Sequence, residues 1–184
     1  MDIKGGKQYL ASELQALIKS QPVRLYPTLK SKIFLFSIAV GFVALGAGLI
    51  FWGKAENDIV MVIIGALSVI FFGPIGLLMI KKFTSGRPTL EISRDGFYDY
   101  HNLKGQLVTW EEVSDIVTYT INSNTFLGIA LKDPDTTLKN LSRLKLLGIN
   151  SNQKLGLPEL PYPQTLLGGQ KAQDVAESMA IFIK

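Results

Sequence analysis

Any acid–base chemistry in this chain would have to come from carboxylates. Glu91, Asp95, Asp99, Glu111, Glu112 and Asp115 crowd the stretch from residue 91 to residue 115, and an Asp-Pro-Asp triplet follows at residues 133–135. Two carboxylates held at separated pKa values could share acid and base roles. The rest of a catalytic inventory is thin. The 184 residues include one histidine, His101, and no cysteine, which excludes His-cluster and thiolate metal sites together with disulfides. The carboxylates sit among strand and turn signals, where such groups are ordinarily solvated. His101 reads as a surface residue beside a turn, and Asp-Pro-Asp as a turn and helix cap rather than a cation site. No nucleophile with its base and no metal set assembles, so the sequence points to a non-enzyme without a cofactor.

The elements that must position these groups are short strands. "TLEIS" alternates through Leu90 and Ile92, Asp95-Gly96 signals a hairpin, "FYDYHN" follows, and a second turn falls near Lys104 and Gly105. "QLVTW" continues the pattern, "IVTYTI" alternates through Val117, Tyr119 and Ile121, and "TFLGIALK" comes after the turn "NSN". Five strands joined by tight turns predict an antiparallel meander with one face available for a core that Trp110 helps to fill. Leu138, Leu141, Leu144 and Leu147 then recur at helical spacing with Gly148 as the stop. A loop with Pro158, Pro161 and Pro163 follows, and Leu155 to Leu157 offers a sixth strand. The closing "QKAQDVAESMAIFIK" sets Ala172, Val175, Ala176, Met179, Phe182 and Ile183 on one helical face, which predicts a helix capping the sheet.

Hydrophobic residues make up 47% of the chain and charged residues 18%, below the roughly 25% usual in soluble domains. The deficit is concentrated in residues 33–53 and 59–80, which hold no ionisable side chain. As helices rising about 1.5 Å per residue, these runs match a hydrocarbon core of about 30 Å. Twelve residues of the first are Ile, Leu, Phe or Val, and their insertion gains roughly 4 to 7 kcal/mol before the glycines subtract. The first run begins too late and runs too long for a cleaved signal peptide.

Lys19, Arg24, Lys30 and Lys32 precede the pair of runs and Lys81, Lys82, Arg87 and Arg94 follow it, while the connecting "KAEND" at residues 54–58 has only Lys54 beside Glu56 and Asp58. That asymmetry predicts a multi-pass protein with both termini in the cytoplasm and "KAEND" as the outside turn. Lys30, Lys32, Trp52, Lys81, Lys82 and Arg87 are the expected membrane-interface residues. Ser37, Gly41, Ala44 and Gly48 line one helical face with small residues, and Gly65, Ser68 and Gly76 offer a looser counterpart. They read as packing within the hairpin, with a homo-oligomer contact as the alternative. Pro74 should kink the second helix. Two serines are the only polar groups at mid-membrane, so a pore or proton relay has nothing to be built from.

Before the runs, Leu10, Leu14, Leu17 and Ile18 describe a short amphipathic helix flanked by Lys4, Lys7 and Lys19. It would lie either on an anionic leaflet or on the chain's own soluble domain. Residues 1–32 carry six Lys/Arg and two acids, so most of the net charge of +4 is N-terminal; residues 81–184, with twelve and eleven, have no basic stripe that would recruit nucleic acid.

"VRLYPTLKSKIFLF", the two-span pair, "PTLEISRDGFYDY", "GQLVTWEEVSDI" and "GIALKDPD" together resemble a family of small bacterial membrane proteins in which a transmembrane hairpin precedes a PH-like domain. The resemblance covers roughly residues 23–184 and implies a binding or scaffolding module, with a seven-stranded barrel closed by one helix. The expected fold is an α+β membrane protein: an N-terminal cytoplasmic segment at 1–32, a transmembrane hairpin at 33–80, and a PH-like antiparallel sheet domain at 85–184 ending in an amphipathic helix. The expected function is a non-enzymatic module at the cytoplasmic face of the bacterial inner membrane, with the lipid bilayer and an unidentified protein as partners and no ligand-binding residue assigned. The alternative is an immunity protein that neutralises an antibacterial toxin there.

Overall fold

The first strands are short, and one of their partners lies far along the chain. β1 (Asp2–Ile3) runs parallel to β2 (Val23–Leu25), with α1 (Ala11–Ser20) between them. After Thr28 the chain departs into α2 (Leu29–Ala55) and α3 (Ile59–Thr84), then returns at β3 (Leu90–Ile92), which pairs antiparallel with β2. Residues 1–28 and 87–184 therefore form one folded unit and residues 29–86 another. The computed structural model describes residues 1–84, 86–139 and 141–183; the side chains of residues 29–32, 34–35, 79, 81–84 and 144 are outside the described set.

In the sheet unit, β4 (Gly96–Asp99) and β5 (Gln106–Thr109) complete a five-stranded sheet in the order β1-β2-β3-β4-β5. The Asp95-Gly96 turn needs its glycine: Gly96 has φ +154° and a Cβ there would lie 2.2 Å from the Val108 carbonyl oxygen. The expected meander does not continue past β5. A 3-10 turn at Trp110–Glu112 interrupts it, because Glu112 Oε2 accepts from the Thr109 N–H at 2.8 Å and the Thr109 hydroxyl at 2.9 Å. Beyond it, β6 (Val113–Ile121), β7 (Asn124–Leu131) and, later, β8 (Leu160–Pro163) form a separate antiparallel sheet in the order β6-β7-β8. Asn122 and Ser123, at φ +46° and +65°, make the two-residue turn between β6 and β7.

Two expectations for the next stretch change. Asp133 caps α4 (Pro134–Leu138), its Oδ1 accepting from the Thr136 N–H at 3.3 Å, but α5 (Arg143–Lys154) runs straight through Gly148. The stop is Gly156, at φ +69°, where the Gly156 and Leu157 N–H groups return to the carbonyls of Gln153 and Asn152 at 2.9 Å each. The last strand is β8 rather than Leu155 to Leu157. Pro161 and Pro163 fit there because β8 is an edge strand with an unpaired side.

One core joins the two sheets. Leu25, Leu90, Phe97 and Val108 from the first and Val113, Leu127, Ile129, Leu160 and Tyr162 from the second are fully buried. α6 (Ala172–Ala180) packs on β6, β7 and α1 through the expected face, with Val175 and Met179 fully buried. α1 takes the second of its two expected positions. Leu14 and Ile18 are buried in the protein's own core, and buried Gln170 accepts from the Tyr9 N–H at 2.8 Å while donating to the Lys7 carbonyl at 3.0 Å.

In the helical unit, the stretches Phe36–Ala55 and Ile59–Leu78 are long and apolar enough to cross a membrane. The turn between α2 and α3 is tighter than the five residues of "KAEND", since Lys54 and Ala55 remain helical. Asn57 adopts the left-handed conformation at φ 56° and the Asp58 N–H closes on the Gly53 carbonyl at 2.8 Å. Asp58 Oδ1 then accepts from the N–H groups of Val60 and Met61 at 2.9 and 3.2 Å, capping α3.

Candidate functional site

Within the hairpin, small residues set how near the two backbones come. A Cβ on Gly65 would lie 2.5 Å from the Gly46 carbonyl oxygen, and one on Gly46 would lie 2.9 Å from that of Gly65. Ser68 Oγ donates across the hairpin to the Phe42 carbonyl at 3.0 Å, and the rings of Phe42 and Phe72 stack at 4.2 Å. Gly65, Ser68 and Gly76 are thus brought to the seam, Gly76 with Ala39 Cβ as its neighbour at 3.8 Å. The α2 side is Ala39, Phe42, Gly46 and Gly53 rather than the predicted stripe. Gly41 and Gly48 have nothing within 4 Å of a built Cβ, Ala44 is exposed, and Ser37 Oγ donates back to the Ile33 carbonyl at 2.9 Å. The sequence does carry the true seam, because Ala39, Gly46 and Gly53 recur every seven residues. Trp52 is exposed near the end of α2 and Arg87 is exposed after α3, while the side chains of Lys30, Lys32, Lys81 and Lys82 lie outside the described set.

In the sheet unit the carboxylates scatter, and Asp99 departs from the solvated reading. It is 0% exposed at the end of β4. The Tyr162 hydroxyl donates to Oδ2 at 2.7 Å, and the N–H groups of His101 and Asn102 donate to Oδ1 at 2.8 Å each. Burial pushes the Asp99 carboxyl above the usual aspartate range despite those bonds, and burial with the adjacent Asp99 charge drives the Tyr162 phenol well above its own. Phe97 and Asp99 occupy one face of β4, so strand alternation was the signal for an inward Asp99. The arrangement holds the turn at 100–105 and ties β4 to β8. Both carboxylate oxygens of Asp99 are engaged, and neither Asp99 nor Tyr162 lines a described cavity, so the role read from this geometry is structural.

A concavity of about 550 Å³ in this unit lies around Trp110. Trp110 stacks on Phe182 at 5.4 Å, touches Phe97 at 5.8 Å, and donates from Nε1 to the Ser93 carbonyl at 3.2 Å. Trp110 therefore serves the core, as expected, while its surroundings form the floor of the cleft. The rim has Arg94 and Asp95 from the β3–β4 turn, Glu111, and Lys132 after β7. Arg94 is held there by donating from Nε to the Lys19 carbonyl at the end of α1. Two cations and two carboxylates leave the rim without net charge. A phosphate would meet as much repulsion as attraction, whereas a peptide or protein surface with both signs could be matched.

No family profile matches this chain, and no curated protein or solved structure shows significant similarity to it.

Proposed function

We propose that this protein is a non-enzymatic, membrane-anchored binding or scaffolding module, with a PH-like domain at the cytoplasmic face of the bacterial inner membrane. One observation carries the reading: a single folded unit, residues 1–28 with 87–184, is interrupted by two helices of membrane length. A hairpin lodged in a bilayer places residues 28 and 87 on the same side, and the unit built from both flanks must lie there whole. The bias of Lys and Arg toward those flanks makes that side the cytoplasm. Two sheets sharing one core and covered by a C-terminal helix support the PH-like assignment, and the cleft around Trp110, with its mixed-charge rim, is the surface best suited to a protein partner.

The chain's lack of cysteine makes the test direct. Single cysteines at Asn57 and at Ser123 are exposed to a membrane-impermeant maleimide on intact cells; Asn57→Cys reacts and Ser123→Cys reacts only after lysis. Labelling of Ser123→Cys from outside overturns the orientation. A photo-crosslinking residue at Glu111 or Lys132 in the full chain should trap a protein that the same residue at Gln173 does not. Equal trapping at all three positions removes the case for the cleft.

A further inference from the structure

The helix that the sequence offers to a lipid surface is α1, and Leu14 and Ile18 of its apolar face are buried in the protein, with Leu17 half-buried and Leu10, just before the helix, exposed. Within the sheet unit, α5 also leaves a leucine uncovered, Leu147. Its inner side is occupied: Ile149 is buried, Leu146 and Asn152 are half-buried, and Lys145 Nζ donates to the carbonyls of His101 and Asn102. Arg143, Leu147, Asn150 and Lys154 recur at i, i+4, i+7 and i+11, one stripe along the opposite side, and all four are exposed. Leu147 is 63% exposed and Leu155, at the helix end, 73%.

Charge on this segment has one sign. Between Asp135 and Glu159 the chain carries Lys139, Arg143, Lys145 and Lys154 and no acid. The flanking carboxylates offset only part of it: Glu159 accepts from Gln153 Nε2 and the Leu131 N–H at 3.1 Å each, Asp135 lines a small cavity with Lys139 and Asn150, and residues 135–159 as a whole keep four cations against two acids. Among the described residues no ion pair joins Lys139, Arg143 or Lys154 to an acid.

We propose that the outer stripe of α5, Arg143, Leu147, Asn150 and Lys154 with Leu155 at its end, is a docking surface for an anionic bilayer. Arg143 and Lys154 sit at headgroup level and attract the anionic lipid, while Leu147 and Leu155 enter the boundary with the acyl chains. The inference rests on the membrane-anchored reading above. It adds that the sheet unit engages the leaflet through α5 rather than merely hanging from the hairpin.

The test uses the full chain in nanodiscs of phosphatidylcholine alone or of equal parts phosphatidylcholine and phosphatidylglycerol. A polarity-sensitive fluorophore is attached at Leu147→Cys or, as controls, at Ser114→Cys and Gln173→Cys. Blue-shifted emission and quenching by nitroxide-bearing lipid should appear at residue 147 only, in anionic discs only, and should fade with added salt. Exchanging Arg143 and Lys154 for Gln should lower the docked-to-undocked ratio about fivefold per charge, hence about 25-fold for the pair. These residues are exposed, so Trp110 emission, read in a Trp52→Phe background, should confirm an unchanged fold. A probe at residue 147 that responds identically in both discs, or no more than the controls, overturns the docking surface and leaves the anchored reading standing. Failure of the chain to enter nanodiscs at all overturns both.

Discussion

Leu25 and Leu90 face each other across adjacent antiparallel strands, both fully buried, although both long helices lie between them in the chain. In chain order, the long helices thus occupy the connection that an ordinary β-hairpin would make with a turn. Pairing continues through Arg24 opposite Glu91, where the guanidinium Nε and the carboxylate are 3.1 Å apart, and Val23 opposite Ile92. Three paired residues are too few to persist alone; the core beneath them holds β2 in register.

This pairing predicts how the chain can be cut. Deleting residues 29–86 and joining Thr28 to Arg87 through a short Gly-Ser linker should yield a soluble, cooperatively unfolding domain, because the deletion removes no residue of the sheet unit's core. Residues 85–184 alone should not fold, since they lack β1, α1 and β2 and leave the partners of Leu14, Ile18, Val23 and Leu25 uncovered. Circular dichroism and urea titration of the two chains decide the matter. A cooperative transition from residues 85–184 alone would show that the N-terminal elements are dispensable.

The Asp99–Tyr162 contact makes stability depend on pH in a stated direction. The native Asp99 carboxyl titrates above its value in the unfolded chain, which is about 3.9. Native protein therefore holds a proton that unfolded chain has released. Its contribution to stability is complete below about pH 4 and is lost as pH rises through the native value. Asp99→Asn should flatten that part of the profile. Tyr162→Phe removes a donor from a buried oxygen and should cost about 1.5 to 3 kcal/mol above that range, where Asp99 is ionised. Urea midpoints measured in steps from pH 4 to pH 8 separate the two effects.

Local signals were legible in the sequence and long-range ones were not. The two apolar runs, the face of α6 and the turns at Gly96 and Asn122 each follow from residues that are neighbours in the chain. β1 and β2, two and three residues long, have no periodicity to read; they exist because distant strands pair with them. The split into two sheets was hidden for a related reason. "QLVTW" and "IVTYTI" both alternate, and only the three bonds made by Glu112, including one from the Thr137 hydroxyl at 3.0 Å, show that the chain changes sheets between them.

Glu112 gives a further prediction. Glu112→Gln keeps the shape and one acceptor but weakens bonds that now end on a charged oxygen, while Glu112→Ala removes all three. The alanine variant should lose about 2 to 4 kcal/mol and the glutamine variant less than half of that. Thermal unfolding of the domain without its hairpin reads both. Equal losses would mean that charge, rather than acceptor geometry, holds the chain where it crosses between sheets.

The glycines of the hairpin separate a packing seam from an outward face. Gly65→Val would drive a side chain into the Gly46 carbonyl and Ile50, so the backbones must part; overpacking of this kind costs about 1 to 3 kcal/mol. Gly48→Val meets nothing within 4 Å and should change stability by less than about 0.5 kcal/mol. Ser68→Ala, which deletes one interhelical hydrogen bond, should fall between them at about 0.6 kcal/mol. Unfolding by SDS in bicelles, followed by energy transfer between dyes at Ile33→Cys and Ile80→Cys, measures all three variants on one scale. If Gly48→Val proved as damaging as Gly65→Val, the Ser37-Gly41-Ala44-Gly48 stripe would have to be covered in the bilayer, and concentration dependence of that loss would identify a second copy of the chain as the cover.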